Sequence, residues 1–243
     1  MTERPKSLFV YDQRRVAERY RRTGGFASWR KERLHEAALD LLTGLTPKEG
    51  VLLELGAGTG QFTGKIIEAD HFSKIQVTDG APAMLRIAEE TFREKRGMLD
   101  FGIIDFDGEW SDQFVGNEFD AVTSIMALHH AKDKKRLFEQ VYAVLKANGL
   151  FVLGDHMAGG SAFEQYLFGR DRALIKLGQE DGKDAEKIAA QIELDEQRQD
   201  QEGNRCEAVE QYLAYLAACG FKDVCCPWKD FWLAVFVARK AGD

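Results

Sequence analysis

An alternation of short apolar runs with helix-like segments between residues 50 and 154 constrains the fold of this chain most. The first run, residues 51–55, ends at Gly56 and is typical of a buried parallel strand. Further apolar runs at residues 75–78, 99–104, 119–125 and 150–154 are separated by segments with helical periodicity. Strands that alternate with helices form a parallel sheet with right-handed crossovers. The sequence therefore predicts an α/β fold.

The segments before and after this alternation are predicted to be helical, except for two strands at the end of the chain. Two helices are expected before the first strand, and two more in residues 161–201, separated by the polar residues 178–182. A helix over residues 207–218 and two strands, joined by a short link that contains proline, follow. We therefore predict one domain, with a helical lid (1–48), a core (49–155), a helical cap (156–205) and a closing helix and hairpin (206–243).

Composition and charge exclude several classes of protein. The 243 residues include 33 Lys and Arg against 40 Asp and Glu, so a net charge of -7 argues against DNA as a partner. The apolar run 231–238 is much shorter than the roughly 20 residues that a membrane helix needs. Charged residues near the N-terminus do not resemble a secretory signal, so a cytoplasmic protein with free thiols and no metal site is expected. A homodimer is a further expectation.

The glycine-rich loop ELGAGTGQF, residues 54–62, lies where the first strand ends and a helix begins. Glycines at such a junction allow a ligand to approach the backbone closely. A phosphate-binding P-loop does not fit, because the spacing from Gly60 to Lys65 is one residue too short and Ile66 follows. The dinucleotide fingerprint would need glycine at position 61, which is Gln61, so a nicotinamide dehydrogenase is the weaker alternative.

The spacing Glu-x-Gly-x-Gly-x-Gly resembles motif I of the class I S-adenosylmethionine-dependent methyltransferases, in particular the small bacterial type. Further segments resemble later motifs of that family in the same order: IQVTD, APAMLRIAEE, IIDFD, FDAVTSIMALHH and LKANGLFVLGD. The match covers about residues 50–155, and the tail resembles the family's last two strands. The resemblance implies a Rossmann-like seven-stranded sheet, mostly parallel with the last strand antiparallel, with helices on both faces and a helical cap.

The resemblance also implies a cofactor, S-adenosyl-L-methionine, with S-adenosyl-L-homocysteine as its product. Asp79 would accept hydrogen bonds from both ribose hydroxyls, since a carboxylate can accept two at once. Met84 would form one wall of the adenine pocket, and Asp105 beside Phe106 would accept from the adenine amino group. The complete set of cofactor-binding residues that the resemblance implies is Glu54, Gly56, Ala57, Gly58, Gly60, Asp79, Gly80, Met84, Asp105, Phe106 and Met126.

Candidate catalytic residues follow the fourth and fifth strands. Methyl transfer is an in-line displacement that depends mainly on positioning, but a hydroxyl or ammonium acceptor must also lose a proton. We therefore predict His156 or His130 as the base, oriented by Asp155. The alternative is that the histidines, including His129, only cap helices or line the pocket.

Residues that choose the acceptor are expected in the cap and the N-terminal helices. Tyr20, Tyr166, Arg170 and Arg205 are the main candidates, and Phe163, Phe168 and Arg172 are additional ones for an aromatic wall or for a carboxylate or phosphate contact. The predicted function is methyl transfer to a small-molecule acceptor. The alternatives are modification of the tRNA wobble uridine, by a methyl or carboxymethyl pathway, and a non-catalytic protein that binds S-adenosylmethionine.

Overall fold

The computed structural model describes residues 10–23, 29–116, 118–178 and 184–242. Its centre is a seven-stranded sheet in the order β3-β2-β1-β4-β5-β7-β6. The strands are β1 (Gly50–Leu55), β2 (Phe72–Asp79), β3 (Leu99–Ile103), β4 (Phe119–Ile125), β5 (Leu145–His156), β6 (Lys222–Asp230) and β7 (Leu233–Arg239). Strands β1 to β5 pair in parallel, and β7 is antiparallel to both β5 and β6. The predicted fold class is confirmed, including the antiparallel last strand.

The helices lie where the periodicity predicts them, with shifts of a few residues at their ends. They are α1 (Arg14–Thr23), α2 (Trp29–Leu45), α3 (Gln61–Glu68), α4 (Pro82–Thr91), α5 (Lys134–Val144), α6 (Ala162–Leu177), α7 (Ala185–Glu202) and α8 (Val209–Ala218). Gly24 and Gly25, which were expected to end the first helix, lie outside the described residues. Among the helices that the structure describes, none is both long and apolar enough to cross a membrane.

Helices α6 and α7, which lie mostly in the segment predicted as a cap, pack against each other. Each begins at a side chain that accepts a hydrogen bond from the backbone three residues later: Ser161 from Glu164 and Asp184 from Lys187. Such caps satisfy backbone donors that have no partner within the helix. Gly178 ends α6 in a left-handed conformation (φ 62°), which glycine adopts without steric cost.

The last two strands are longer than predicted. Pro227 lies within β6 and not in a link between strands. Proline lacks an N–H to donate, but β6 is the edge strand and its pairing with β7 shifts register between Cys225 and Trp228. An edge strand with an irregular register accommodates the missing donor, so the proline does not break it.

Strand order places the candidate site. The sheet grows in one direction from β1 to β2 and β3, and in the other from β4 to β5. The carboxyl ends of these strands meet at one edge, and ligands of open α/β sheets bind where the strand order reverses, here between β1 and β4. Helix α1 packs against α4 through Ala17, which joins a small apolar cluster with Ala81, Met84 and Ile87. This contact brings the N-terminal helix over the same edge.

Candidate active site

A cavity of about 850 Å³ opens at the carboxyl edge of the sheet. On the side of β1 and β2 it is lined by the glycine loop and by Asp79; on the side of β4 and β5 it is lined by His129, His130 and His156. Residues of α1, α6 and α7 also line it. Most residues that the sequence predicted for the cofactor, and the predicted catalytic residues His130 and His156, therefore line one cavity.

The backbone of the glycine loop explains why glycine occupies position 56. Gly56 has φ 72°, and a Cβ there would lie 2.3 Å from the Cβ of Ala127. Both the left-handed conformation and the close approach exclude a side chain. Gly58 also has a positive φ, but a Cβ there would meet only Tyr20 Cε1 at 3.9 Å, so this residue leaves open space on the cavity side.

Asp79 ends β2 and holds the loop in place. Its carboxylate accepts hydrogen bonds from the backbone N–H of Gly58 (2.7 Å) and of Ala81 (2.8 Å). Burial raises the pKa of Asp79, and the backbone donors of Ala81, Gly58 and Gly80 oppose that rise. Because a carboxylate has about four acceptor positions, two remain for ligand hydroxyl groups.

Three of the predicted cofactor residues do not line the cavity: Glu54, Ala57 and Gly60. Glu54 is buried behind the loop and accepts a hydrogen bond from Thr63 Oγ1 at 2.7 Å. Its burial raises its pKa to about 7, although the bond from Thr63 opposes the rise. A Cβ at Gly60 would lie 2.5 Å from the Phe92 ring. These three residues contribute to the loop on the side that faces away from the cavity.

The remaining predicted cofactor residues lie around the same cavity: Gly56, Gly58, Asp79, Gly80, Met84, Asp105, Phe106 and Met126. Met84 is buried, whereas Asp105 is exposed at the rim of the cavity. Tyr20 of α1 also lines the cavity, and burial, together with the charge of Asp79, raises its pKa to about 12. The tyrosine is therefore neutral and can donate a hydrogen bond.

The contacts between Asp155 and the histidines differ from those that the sequence predicted. Its carboxylate lies 2.5 Å from His129 Nδ1 and also accepts from the backbone N–H of His129 and of His156, each at 2.8 Å. The expectation that Asp155 orients the ring of His156 or His130 is therefore wrong. The 3₁₀ turn Leu128–His130 after β4 turns His129 toward β5, so the carboxylate binds that ring instead.

His130 and His156 both line the cavity. Nδ1 of His130 and Nε2 of His156 are buried and have no hydrogen-bond partner in the described part of the chain. The His156 ring stacks on His129 at 4.8 Å and meets the edge of Trp232 at 5.0 Å. Burial, with the neighbouring His129 as a smaller cause, lowers the pKa of both His130 and His156 well below the ordinary value. Both rings are neutral at neutral pH.

The predicted acceptor residues of the cap do not reach the cavity. Tyr166 is 53% exposed, Arg205 is exposed, and neither they nor Arg170 line the cavity. Of the additional candidates, only Arg172 lines it. Arg172 follows the buried Phe168 by four residues and so shares its helix face, whereas Tyr166 and Arg170 lie on other faces. The spacing from an apolar residue could have identified the arginine that lines the cavity.

Several other cavity residues are absent from the predicted set, among them Lys176, Asp195, Asn204 and Trp232. Asp195 lies in α7, and its Oδ1 is 2.5 Å from Lys176 Nζ and 2.8 Å from Gln191 Nε2. Its Oδ2 and the Asn204 Oδ1 are buried without a partner among the described residues. In those residues, no group of three or more His, Cys, Asp or Glu has the arrangement of a metal site.

Comparison with known proteins finds one family model, described as a methyltransferase domain, over residues 53–151. The chain is 30% identical over 122 residues to the fumosorinone synthetase of Cordyceps fumosorosea, a match that covers 49% of this chain and 3% of that protein. It is 27% identical over 144 residues to malonyl-[acyl-carrier protein] O-methyltransferase 1 of Ilyobacter polytropus, covering 58% of this chain and 52% of that protein. The chain thus spans about half the length of the second relative and a small part of the first.

Among solved structures, the chain is similar to phosphoethanolamine N-methyltransferase 2 of Haemonchus contortus, in complex with phosphomonomethylethanolamine and S-adenosylhomocysteine. The TM-score is 0.71 at 16% identity, and the match covers 99% of this chain and 60% of that chain. At this identity the likeness concerns the fold.

Proposed function

We propose that this chain is a class I S-adenosylmethionine-dependent methyltransferase that transfers a methyl group from that cofactor to a small-molecule acceptor, and the methyltransferase-domain model that matches residues 53–151 supports this. A neutral histidine of the cavity removes the proton of the acceptor. The observation that carries this proposal is the single cavity in which the glycine loop and Asp79 lie on one side and unpartnered ring nitrogens of His130 and His156 on the other.

The donor side of the cavity, defined as Gly56, Gly58, Asp79, Met84 and Phe106, has the groups that S-adenosylmethionine requires. Asp79 has acceptor positions left for the two ribose hydroxyls, and Met84 with Phe106 offers apolar surface to the adenine ring. Asp105 at the rim is in place to accept from the adenine amino group. When bound there, the cofactor supplies a methyl group on a sulfonium, which needs no metal or proton to react.

The acceptor side, defined as His129, His130, Asp155, His156 and Trp232, supplies a base. A neutral imidazole with a free nitrogen can accept a proton directly, and general base catalysis typically contributes about 10²–10⁴-fold. His156 is the better placed, because the rings of His129 and Trp232 hold it on two sides. The pair of Asp155 and His129 acts as a positioning element for the acceptor side, since Asp155 also accepts from the His156 backbone.

The size of the cavity favours a small acceptor. At about 850 Å³ it lies within the range of roughly 300–1,000 Å³ that is usual for small-molecule sites, and α1, α6 and α7 enclose it. The net charge of -7 disfavours the long phosphate contacts of a tRNA. Of the three proteins named above, one is an O-methyltransferase and one is an N-methyltransferase, which supports oxygen or nitrogen nucleophiles with a removable proton as the proposed acceptors.

A turnover assay tests this proposal. The protein is incubated with S-adenosylmethionine and a panel of small phenols, carboxylic acids and amines, with total tRNA as a separate arm, and S-adenosylhomocysteine is measured by mass spectrometry. We expect turnover with a small acceptor and a loss of about 10²–10⁴-fold in His156→Asn, while affinity for S-adenosylhomocysteine is unchanged.

The matched control is His71→Asn, because His71 packs on Phe72 and lies outside the cavity. It should keep full turnover. Product formed only with tRNA, or tight cofactor binding without turnover on any acceptor, would contradict the proposal. Equal losses of turnover and cofactor affinity in His156→Asn would reduce that residue to a structural role.

A further inference from the structure

We infer that the acceptor carries an anionic group and that Arg172 of α6 binds it. This inference rests on the proposed function, since it assumes that the acceptor occupies the cavity. Arg172 is only 8% exposed, yet it forms no hydrogen bond or ion pair with any residue in the described part of the chain. It lines the cavity, with its guanidinium 5.7 Å from the ring centroid of Trp232.

Arg30 shows how the same fold treats a buried arginine that has only a structural role. Arg30 is 7% exposed and its Nε also lacks a partner among the described residues, but its two Nη groups form ion pairs with Asp171, at 2.8 Å, and with Asp230. Leaving a buried charge without a partner costs considerably more than pairing it. The contrast indicates that the partner of Arg172 is not among the described residues, and we assign that role to a ligand.

The carboxylate nearest in the cap is already engaged. Asp195 Oδ1 is bound by Lys176 and Gln191, and no carboxylate among the described residues forms an ion pair with Arg172. Burial lowers the pKa of Arg172, although the nearby charges of Asp195, Glu196 and Asp171 oppose the fall. A guanidinium presents a planar fork of donors that matches a carboxylate or a phosphate, and both ligands have the required shape and charge.

Trp232 connects this arginine to the proposed base. Its ring lies 5.7 Å from the Arg172 guanidinium and 5.0 Å from the His156 ring. An acceptor with its anionic group on Arg172 therefore extends along Trp232 toward His156. Asp195 also lines the cavity, and its Oδ2 is buried with no donor among the described residues. The inferred substrate class is a small anion with at least one hydrogen-bond donor.

Binding of model anions tests the inference without turnover. Protein saturated with S-adenosylhomocysteine is titrated with acetate, 4-hydroxybenzoate, inorganic phosphate and phenyl phosphate, and with acetamide and 4-hydroxybenzamide as neutral analogues. Affinity is measured by calorimetry and by the shift of the thermal unfolding midpoint. We expect at least one anion to bind about tenfold or more tightly than its neutral analogue, and to lose about tenfold or more in Arg172→Gln.

Arg86→Gln is the matched control, because Arg86 is exposed on α4 and does not line the cavity. It removes the same charge and should bind the anion as the unmodified protein does. If Arg172→Gln does not fold, Arg172→Lys keeps a positive charge without the fork and should bind the anion several-fold more weakly.

The pattern of results identifies the anion. Binding of the carboxylates alone assigns a carboxylic acid, and binding of the phosphates alone assigns a phosphate ester. Equal affinity for anions and neutral analogues, or an equal loss in Arg86→Gln, would overturn the inference. Protein that fails to bind S-adenosylhomocysteine but binds anions through Arg172 would contradict the proposed function and leave the anion site standing.

Discussion

The donor side and the acceptor side of the cavity differ in how their polar groups are satisfied. On the donor side, Asp79 accepts two backbone hydrogen bonds and Glu54, behind the loop, accepts one from Thr63. In the glycine loop Thr59 Oγ1 lacks a partner, whereas on the acceptor side and in the adjoining cap Nδ1 of His130, Nε2 of His156 and Nε of Arg172 lack partners among the described residues. Groups that bind one another hold a site in shape, whereas buried groups without partners are costly and point to a ligand.

The largest effect is expected from the loop that shapes the donor side. Gly56→Ala places a Cβ 2.3 Å from that of Ala127 at a φ of 72°. Overpacking together with left-handed strain should lower the free energy of unfolding by roughly 2–5 kcal/mol and abolish binding of S-adenosylhomocysteine. Urea unfolding and calorimetry measure the two quantities.

Gly44→Ala is the control for this change, since a Cβ at Gly44 in α2 meets nothing within 4 Å. It should stabilise the protein by about 0.5–1 kcal/mol, because alanine favours a helix over glycine. A Gly56→Ala protein as stable as this control would show that the loop has room to move, and the donor side would not be rigid.

The pH dependence of stability should have opposite signs on the two sides. Glu54 has a pKa of about 7 in the folded protein, raised from 4.5, so its stabilising contribution is complete below pH 4.5 and is lost as pH rises through 7. Glu54→Gln replaces the titrating carboxyl group with a neutral amide, so the variant should not lose this stability as pH rises. The free energy of unfolding of the variant, relative to the unmodified protein, should increase by about 3 kcal/mol between pH 4 and pH 8.

The titration of His156 should change the free energy of unfolding with pH in the opposite direction. Its pKa is lowered in the folded protein, so its contribution is present above pH 6.5 and is lost as pH falls toward the folded value. His156→Asn should therefore resist acid better than the unmodified protein. Urea unfolding across this pH range measures both variants, and parallel profiles for Glu54→Gln and His156→Asn would refute the contrast between the two sides.

Sequence alone predicts the donor side better than the acceptor side, for a physical reason. A strand end, a glycine loop and the acid Asp79 follow each other along the chain, so local spacing determines their geometry. The acceptor side depends on how a turn and a helix are rotated toward the sheet. The turn Leu128–His130 places the ring of His129 against the carboxylate of Asp155. The rotation of α6 about its axis brings Arg172, and not Arg170, to the cavity.

The ends of the strands also depend on contacts that are distant in the sequence. Pro227 was predicted to end a strand, and it does not, because edge position and register shift depend on β7 and not on local sequence. The division into lid, core, cap and closing segment stays a prediction, as do the homodimer and the cytoplasmic location.

The most direct test of the two-sided cavity is calorimetric titration of S-adenosylhomocysteine into the unmodified protein, Asp79→Asn and His156→Asn, with NADH as the control ligand. We predict binding to the unmodified protein and to His156→Asn with equal affinity, and no binding of NADH. In Asp79→Asn the affinity should fall by about 1.5–3 kcal/mol for each charge-assisted hydrogen bond that is lost. Equal affinity in Asp79→Asn, or a loss in His156→Asn as large as in Asp79→Asn, would contradict the division of the cavity into a donor and an acceptor side.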